Sequence, residues 1–168
     1  MIFLRPDILV LILTAIILST LILANKKQWL PYLGIALTIS VIWNLFASSQ
    51  YGYNQTFLSI GPISIFPLLA WMIGLFSLHI LYISVLPRTS FEGFTKQLLF
   101  YIALYWPILL IAETIGYHSL NIKNSAAAQY PGLPFCDCLH APLWMQIAYL
   151  MIGPAYFLCV NFVPLKRA

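Results

Sequence analysis

Five stretches of this chain run for about twenty residues with almost no charge, the length a helix needs to cross the hydrocarbon of a bilayer. They cover approximately residues 8–24, 30–47, 64–86, 97–117 and 141–163. In hydrocarbon every backbone N–H and C=O must find a partner within the chain, so such stretches fold as helices. Charged residues make up 7% of the sequence, against about 25% in a soluble domain. Too few charges remain to coat a water-facing globule. This excludes a soluble enzyme and a disordered tail. The 8 Lys and Arg residues are scattered and form no basic patch, so nucleic acid is excluded as a partner. The expected fold is all-α: one polytopic bundle of five transmembrane helices spanning residues 1–168.

Arg5 gives the first stretch a weak positive flank, as in a signal peptide. No small-x-small cleavage site precedes Lys26-Lys27, so the stretch is read as a retained helix. Five spans put Lys26, Lys27, Arg88, Lys96, Lys166 and Arg167 on one side, and Arg5 and Lys123 on the other. The positive-inside rule then places the N-terminus outside and the C-terminus in the cytoplasm, with the plasma (inner) membrane as the expected location. Residues 56–86 are too long for one upright span, and Gly61, Pro62 and Pro67 mark their first part as an approach loop.

The two outside connections are the long ones. One holds Tyr51, Gly52, Tyr53, Asn54 and Phe57; the other holds Lys123, Pro131, Gly132, Pro134, Cys136, Asp137 and Cys138. Tyrosines at this level fit an aromatic belt at the headgroups. Asn54-Gln55-Thr56 is a glycosylation sequon, relevant only in a eukaryotic secretory pathway. The hairpin of spans two and three resembles that of spans four and five. Asn44 precedes Pro62 by 18 residues and Glu113 precedes Pro131 by 18, with Gly52-Tyr53 and Gly116-Tyr117 in between. These matches suggest a parallel internal repeat behind an N-terminal helix.

Glu113 is the most informative residue. An acid inside a span is costly and by default faces the bundle interior or a cavity. A carboxylic acid kept neutral there is suited to donating a proton. Asp137, His118 and His140 lie at the same level and are candidates to tune or relay that proton. Asp137 also suits a plain capping role ahead of span five, with Pro142 in the first helical turn. His79, deep in span three, is read as an interhelical hydrogen bond. Pro107 and Pro154 interrupt spans four and five and can open a space between helices. Tyr105 and Tyr149 on those spans, with Asn44 on span two, are the candidate substrate-binding residues. Tyr101, Tyr156 and Trp106 belong to the same aromatic set, which suits core packing as well.

Cys136, Cys138 and His140 would share one side of an extended segment and suit zinc, with His118 or Glu113 as fourth ligand. The usual zinc spacing is absent. A disulfide between Cys136 and Cys138 would close a very small ring, so free thiols packed in the loop are the expectation. Cys159 lies too far along span five to pair with either.

Trp43-Asn44, Tyr51-Gly52-Tyr53-Asn54, Gly61-Pro62 and Phe66-Pro67 occur in an order similar to the repeated hairpin of the membrane lycopene cyclase domain family. In this resemblance Glu113-Thr-Ile-Gly116 and Pro131-Gly132-Leu133-Pro134 form the second copy. The family closes rings on linear carotenoid ends without net redox change, starting from protonation of a carbon–carbon double bond. The chain departs from it after Pro67, where Leu68, Leu69 and Ala70 replace the family's acids. The resemblance implies an enzyme for acid-initiated cyclisation or isomerisation of an isoprenoid or carotenoid-like lipid. Glu113 would be its donor, and Asn44 would orient the substrate or hydrogen-bond to Glu113. No dinucleotide or haem signature appears, so no cofactor is expected. The competing expectation is a non-enzymatic carrier, lipid binder or assembly partner. The third is a metal or thiol site at Cys136, Cys138 and His140.

Overall fold

The computed structural model describes residues 5–55, 57–126 and 129–162. Thr56 of the sequon, Lys166, Arg167 and the last residue of the fifth expected span lie outside them. The chain is mostly helical, and five helices are long and apolar enough to cross a membrane. They are α1 (Pro6–Leu23), α2 (Leu30–Phe46), α3 (Ile65–Val85), α4 (Phe94–Thr114) and α5 (Leu143–Phe162). All bounds fall within a few residues of the apolar stretches.

Local chemistry sets the starts. Pro6 opens α1 and Pro31 lies in the first turn of α2, where a missing N–H costs nothing. Gly93 takes a φ of 86° ahead of α4, a region closed to most side chains. Before α3 stands a small hairpin, β1 (Ser59–Ile60) against β2 (Ile63–Ser64), turned by Gly61 at φ 58° and Pro62. Pro67 belongs to the first turn of α3 and not to the approach loop. α4 does not stop at Thr114: it widens into a π-turn over Ile115–Ser119, which starts two residues after Glu113. Gly116-Tyr117 is therefore helical, whereas Gly52-Tyr53 lies in an irregular loop.

The helices run up and down. One end of the bundle gathers the starts of α1, α3 and α5 with the long connections, and is called here the Asp137 end. The other gathers Lys26, Lys27, Arg88 and Lys96, and is called the Lys27 end. α2 and α3 form the most extensive pair, α1 leans on α3, and α5 packs on α4 and α2. The core is rich in rings: Tyr32, Trp43, Tyr82, Tyr101, Tyr105, Tyr149 and Tyr156 are all buried. Tyr156 donates to the Tyr32 carbonyl at 3.1 Å, tying α5 to α2. His79 makes no interhelical hydrogen bond through Nδ1. It stacks on Tyr32 with ring centres 5.1 Å apart, and Nδ1 has no partner among the described residues. Outward faces stay apolar, with Ile16, Leu99 and Ile147 all more than half exposed.

Asp7 pins α1. Its carboxylate is fully buried, accepts from the Arg5 guanidinium at 2.8 Å, and accepts from the backbone N–H of Leu58 at 3.0 Å. A buried charge is tolerable only when paired and hydrogen-bonded in this way.

Candidate functional site

α3 and α4 part toward the Asp137 end and enclose a cavity of about 250 Å³. On α3 the wall includes Pro67, Ala70, Trp71, Gly74 and Leu78; on α4 and its π-turn it includes Tyr105, Ile108, Ala112, Glu113 and Gly116. These positions recur every three to four residues, so each set is one helical face. Tyr149 of α5 closes the back, and Tyr51, Tyr53 and Asn124 reach in from the two long connections.

Those connections interlock. Gly52 N–H donates to Asn124 Oδ1 at 2.9 Å, Asn54 N–H to the Lys123 carbonyl at 2.9 Å, and Lys123 N–H to Asn54 Oδ1 at 2.9 Å. Tyr51 is fixed at this seam: Trp43 Nε1 donates to its hydroxyl at 2.7 Å, and the Tyr149 hydroxyl lies 3.3 Å away. Burial pushes the Tyr51 hydroxyl up to about 12, despite hydrogen bonds from Tyr149, Trp71 and Trp43 that pull it down. Burial also holds Tyr53 well above its ordinary value. Both are neutral phenols at any ordinary pH.

Glu113 is partly buried on the cavity wall, and its carboxyl has no hydrogen-bond or ion-pair partner among the described residues. Its neighbours on that wall are rings and aliphatic groups. Among the described residues no Lys or Arg lines the space. A carboxyl left this way offers its proton, or its lone pairs, to whatever fills the cavity.

Of the other acid–base candidates, His140 alone also lines the cavity. Its ring stacks on Tyr117 at 4.5 Å. Nδ1 lies 3.0 Å from the Tyr130 carbonyl, while Nε2 lies 3.2 Å from both the Asp137 carbonyl and Asp137 Oδ1. A neutral imidazole donates from one nitrogen, an imidazolium from both. Gly132 makes room for this ring: a Cβ there would stand 3.0 Å from it. His118 is exposed, and its Nε2 lies 3.2 Å from the Asp137 carbonyl. Asp137 is 70% exposed and does not cap α5, because a φ of 46° turns it out of the path to the helix. The α5 start is served by the Pro142 carbonyl, which accepts from Met145 and Gln146.

Asn44 does not join the cavity. It is buried on α2, donates to the Ser40 carbonyl at 2.8 Å, and leaves Oδ1 without a partner among the described residues. Tyr105 and Tyr149 do line the cavity, and the Tyr105 hydroxyl donates to the Tyr149 carbonyl. Tyr105 lies flat on Gly153, where a Cβ would stand 2.5 Å from the ring. Trp106 faces outward.

Cys136 and Cys138 are joined as a disulfide, where free thiols were expected. Left-handed backbone at Asp137 and Leu139 curls the segment. It is not the extended strand that would align Cys136, Cys138 and His140. A disulfide sulfur is no thiolate ligand, and no group of three metal-ligating side chains assembles among the described residues.

No protein-family model, curated protein or solved structure matches this chain. The site is therefore read from its own geometry. Sequence reasoning missed Trp71 and Asn124 as wall residues and treated Tyr51 and Tyr53 as belt tyrosines. A signal was present: Ala70 and Gly74 on one span, Ala112 and Gly116 on another, are small pairs four residues apart.

Proposed function

We propose that the protein is an integral membrane enzyme that isomerises or cyclises an isoprenoid or carotenoid-like chain by acid-initiated, non-redox chemistry, with Glu113 as proton donor. One observation carries the reading: a carboxyl with no partner among the described residues, on the wall of an apolar, ring-lined cavity. The Glu113 O–H bond breaks as a C–H bond forms on an electron-rich double bond, leaving a carbocation. Trp71, Tyr53 and Tyr149 line the cavity and supply aromatic rings of the kind that stabilise positive charge. A neighbouring double bond closes the ring, or the chain simply rearranges. Loss of a proton from an adjacent carbon to the Glu113 carboxylate regenerates the acid. Substrate and product are isomers, so no oxidant, reductant or cofactor is consumed. His140 is a proton source and sink at the cavity wall, and Asp137 and His118 connect it to the exterior. The lack of a wall cation among the described residues speaks against a phosphate-headed substrate, which would call for Lys or Arg.

In this reading the Asp137 end faces outside and the Lys27 end the cytoplasm, as the cluster Lys26, Lys27, Arg88 and Lys96 supports. The two helical hairpins are read as diverged copies in the manner of membrane lycopene cyclases.

Lipid and pigment extracts from membranes with and without the protein test the proposal. An isomerised species that appears with the wild type and vanishes with Glu113→Gln is expected. Retention of that species with Glu113→Gln overturns the mechanism. A second reading, a lipid carrier without chemistry, draws on the engagement of both His140 nitrogens with oxygen acceptors, which keeps the imidazole from exchanging a proton with Glu113. Unchanged extracts with a co-purifying lipid would favour it.

A further inference from the structure

The cavity is closed above, below and behind, and open on one side. Above, the seam between residues 50–55 and 121–126 roofs it, as described. Below, α3 and α4 meet ring to ring: Tyr82 and Tyr101 have centres 5.3 Å apart, and the Tyr82 hydroxyl donates to Gln97 Oε1 at 3.3 Å. Behind, Tyr105 is wedged against Gly153 of α5. At the front, Gly74 and Ala112 are exposed and Ile108 is 40% exposed, although all three also line the cavity. A Cβ built on Gly74 would meet nothing within 4 Å. The gap between α3 and α4 is thus kept clear by small residues at the level where lipid tails would stand.

The shape is upright. Wall residues run from Phe66 to Leu78 along α3, about 18 Å at 1.5 Å per residue, and from Tyr105 to Gly116 along α4, about 16 Å. Sites that enclose a drug-sized ligand hold roughly 300–1,000 Å³. A slot of about 250 Å³ takes one end of a long chain and not the whole of it.

We infer that this slot is loaded sideways from the bilayer, between α3 and α4, by the apolar end of one extended chain whose remaining length stays among the lipid tails. Gly74 and Ala112 set the width of the opening. The inference rests on the membrane-enzyme reading above and adds how substrate reaches Glu113. Headgroups would be excluded by the roof.

The test uses the full chain in vesicles containing a phospholipid with a photoactivatable diazirine on its acyl chain. After irradiation, mass spectrometry locates adducts. Adducts on Tyr105 and Glu113 are expected in the wild type. Gly74→Leu should lower them about tenfold, since even one methylene against an apolar wall changes recognition by about that factor. Gly74→Ala should lower them less, and it keeps the test decisive should the leucine variant fail to fold. A water-soluble diazirine should leave both residues unlabelled. Undiminished acyl-chain labelling in both Gly74 variants overturns the inference, as does labelling from water. Tyr105 labelling does not depend on catalysis. If Glu113→Gln retains product while Gly74→Leu blocks labelling, the chemistry is wrong and the sideways opening stands.

Discussion

α3 and α4 meet in opposite ways at their two ends. At the Lys27 end they are locked by Tyr82, Phe100 and Tyr101, ring against ring. At the Asp137 end Ala70 and Gly74 face Ala112 and Gly116 across open space. Both ends are apolar, so hydrophobicity does not distinguish them. Side-chain volume does: large rings fill the gap at one end, and small residues leave it for a ligand at the other. At the unfilled end the wall carries an acid, Glu113.

The largest expected effect lies at the unfilled end. Glu113→Gln keeps size and removes the proton, and should cut product formation at least about a hundredfold, the usual lower range for a lost general acid. Product assay in membranes checks it, and an unchanged rate would erase the chemical difference between the ends. The packing difference is tested by thermal unfolding in detergent. Tyr101→Ala at the filled end should cost about 3–5 kcal/mol, as for other large ring deletions. Ile108→Ala at the slot should cost under about 1 kcal/mol, because it leaves no enclosed void. Equal losses would break the comparison. Gly153→Ala drives a methyl into the Tyr105 ring and should destabilise by about 1–3 kcal/mol through overpacking. It should also narrow the slot from behind, read as weaker acyl-chain labelling of Glu113. The smallest effect concerns the roof. Tyr51 is held at about 12 against an ordinary 10.0. Stability is therefore unaffected below pH 10 and falls between pH 10 and 12, where the unfolded chain alone loses the proton. Ultraviolet phenolate absorbance followed against pH checks it; a Tyr51 titrating at its ordinary value would mean an open seam.

The helices were legible because the apolar length that defines a span is a local property, and all five fell near their expected limits. Glu113 was legible for the same reason, as an acid inside such a span. Its surroundings were not. Asn44 and Glu113 occupy matching sequence positions, yet Asn44 turns its amide to its own helix at Ser40 while Glu113 faces the cavity. Asp137 looked like a cap, but two left-handed residues curl the segment away from α5. That curl also joins Cys136 to Cys138, a pairing that spacing alone argued against. The roof depends on pairings about seventy residues apart, such as Asn54 with Lys123, which no local pattern encodes.

The Asn54 side chain has a further consequence. Its Nδ2, the atom that a glycosyltransferase would modify, donates to the Asn121 carbonyl at 2.9 Å, while Oδ1 accepts from Lys123. In the finished molecule that nitrogen is engaged. Were the chain made in a eukaryotic secretory pathway, sugar transfer would be restricted to the interval before the second hairpin arrives. Occupancy at Asn54 would then act as a clock for assembly, rising when the last two helices are delayed and falling when they follow at once.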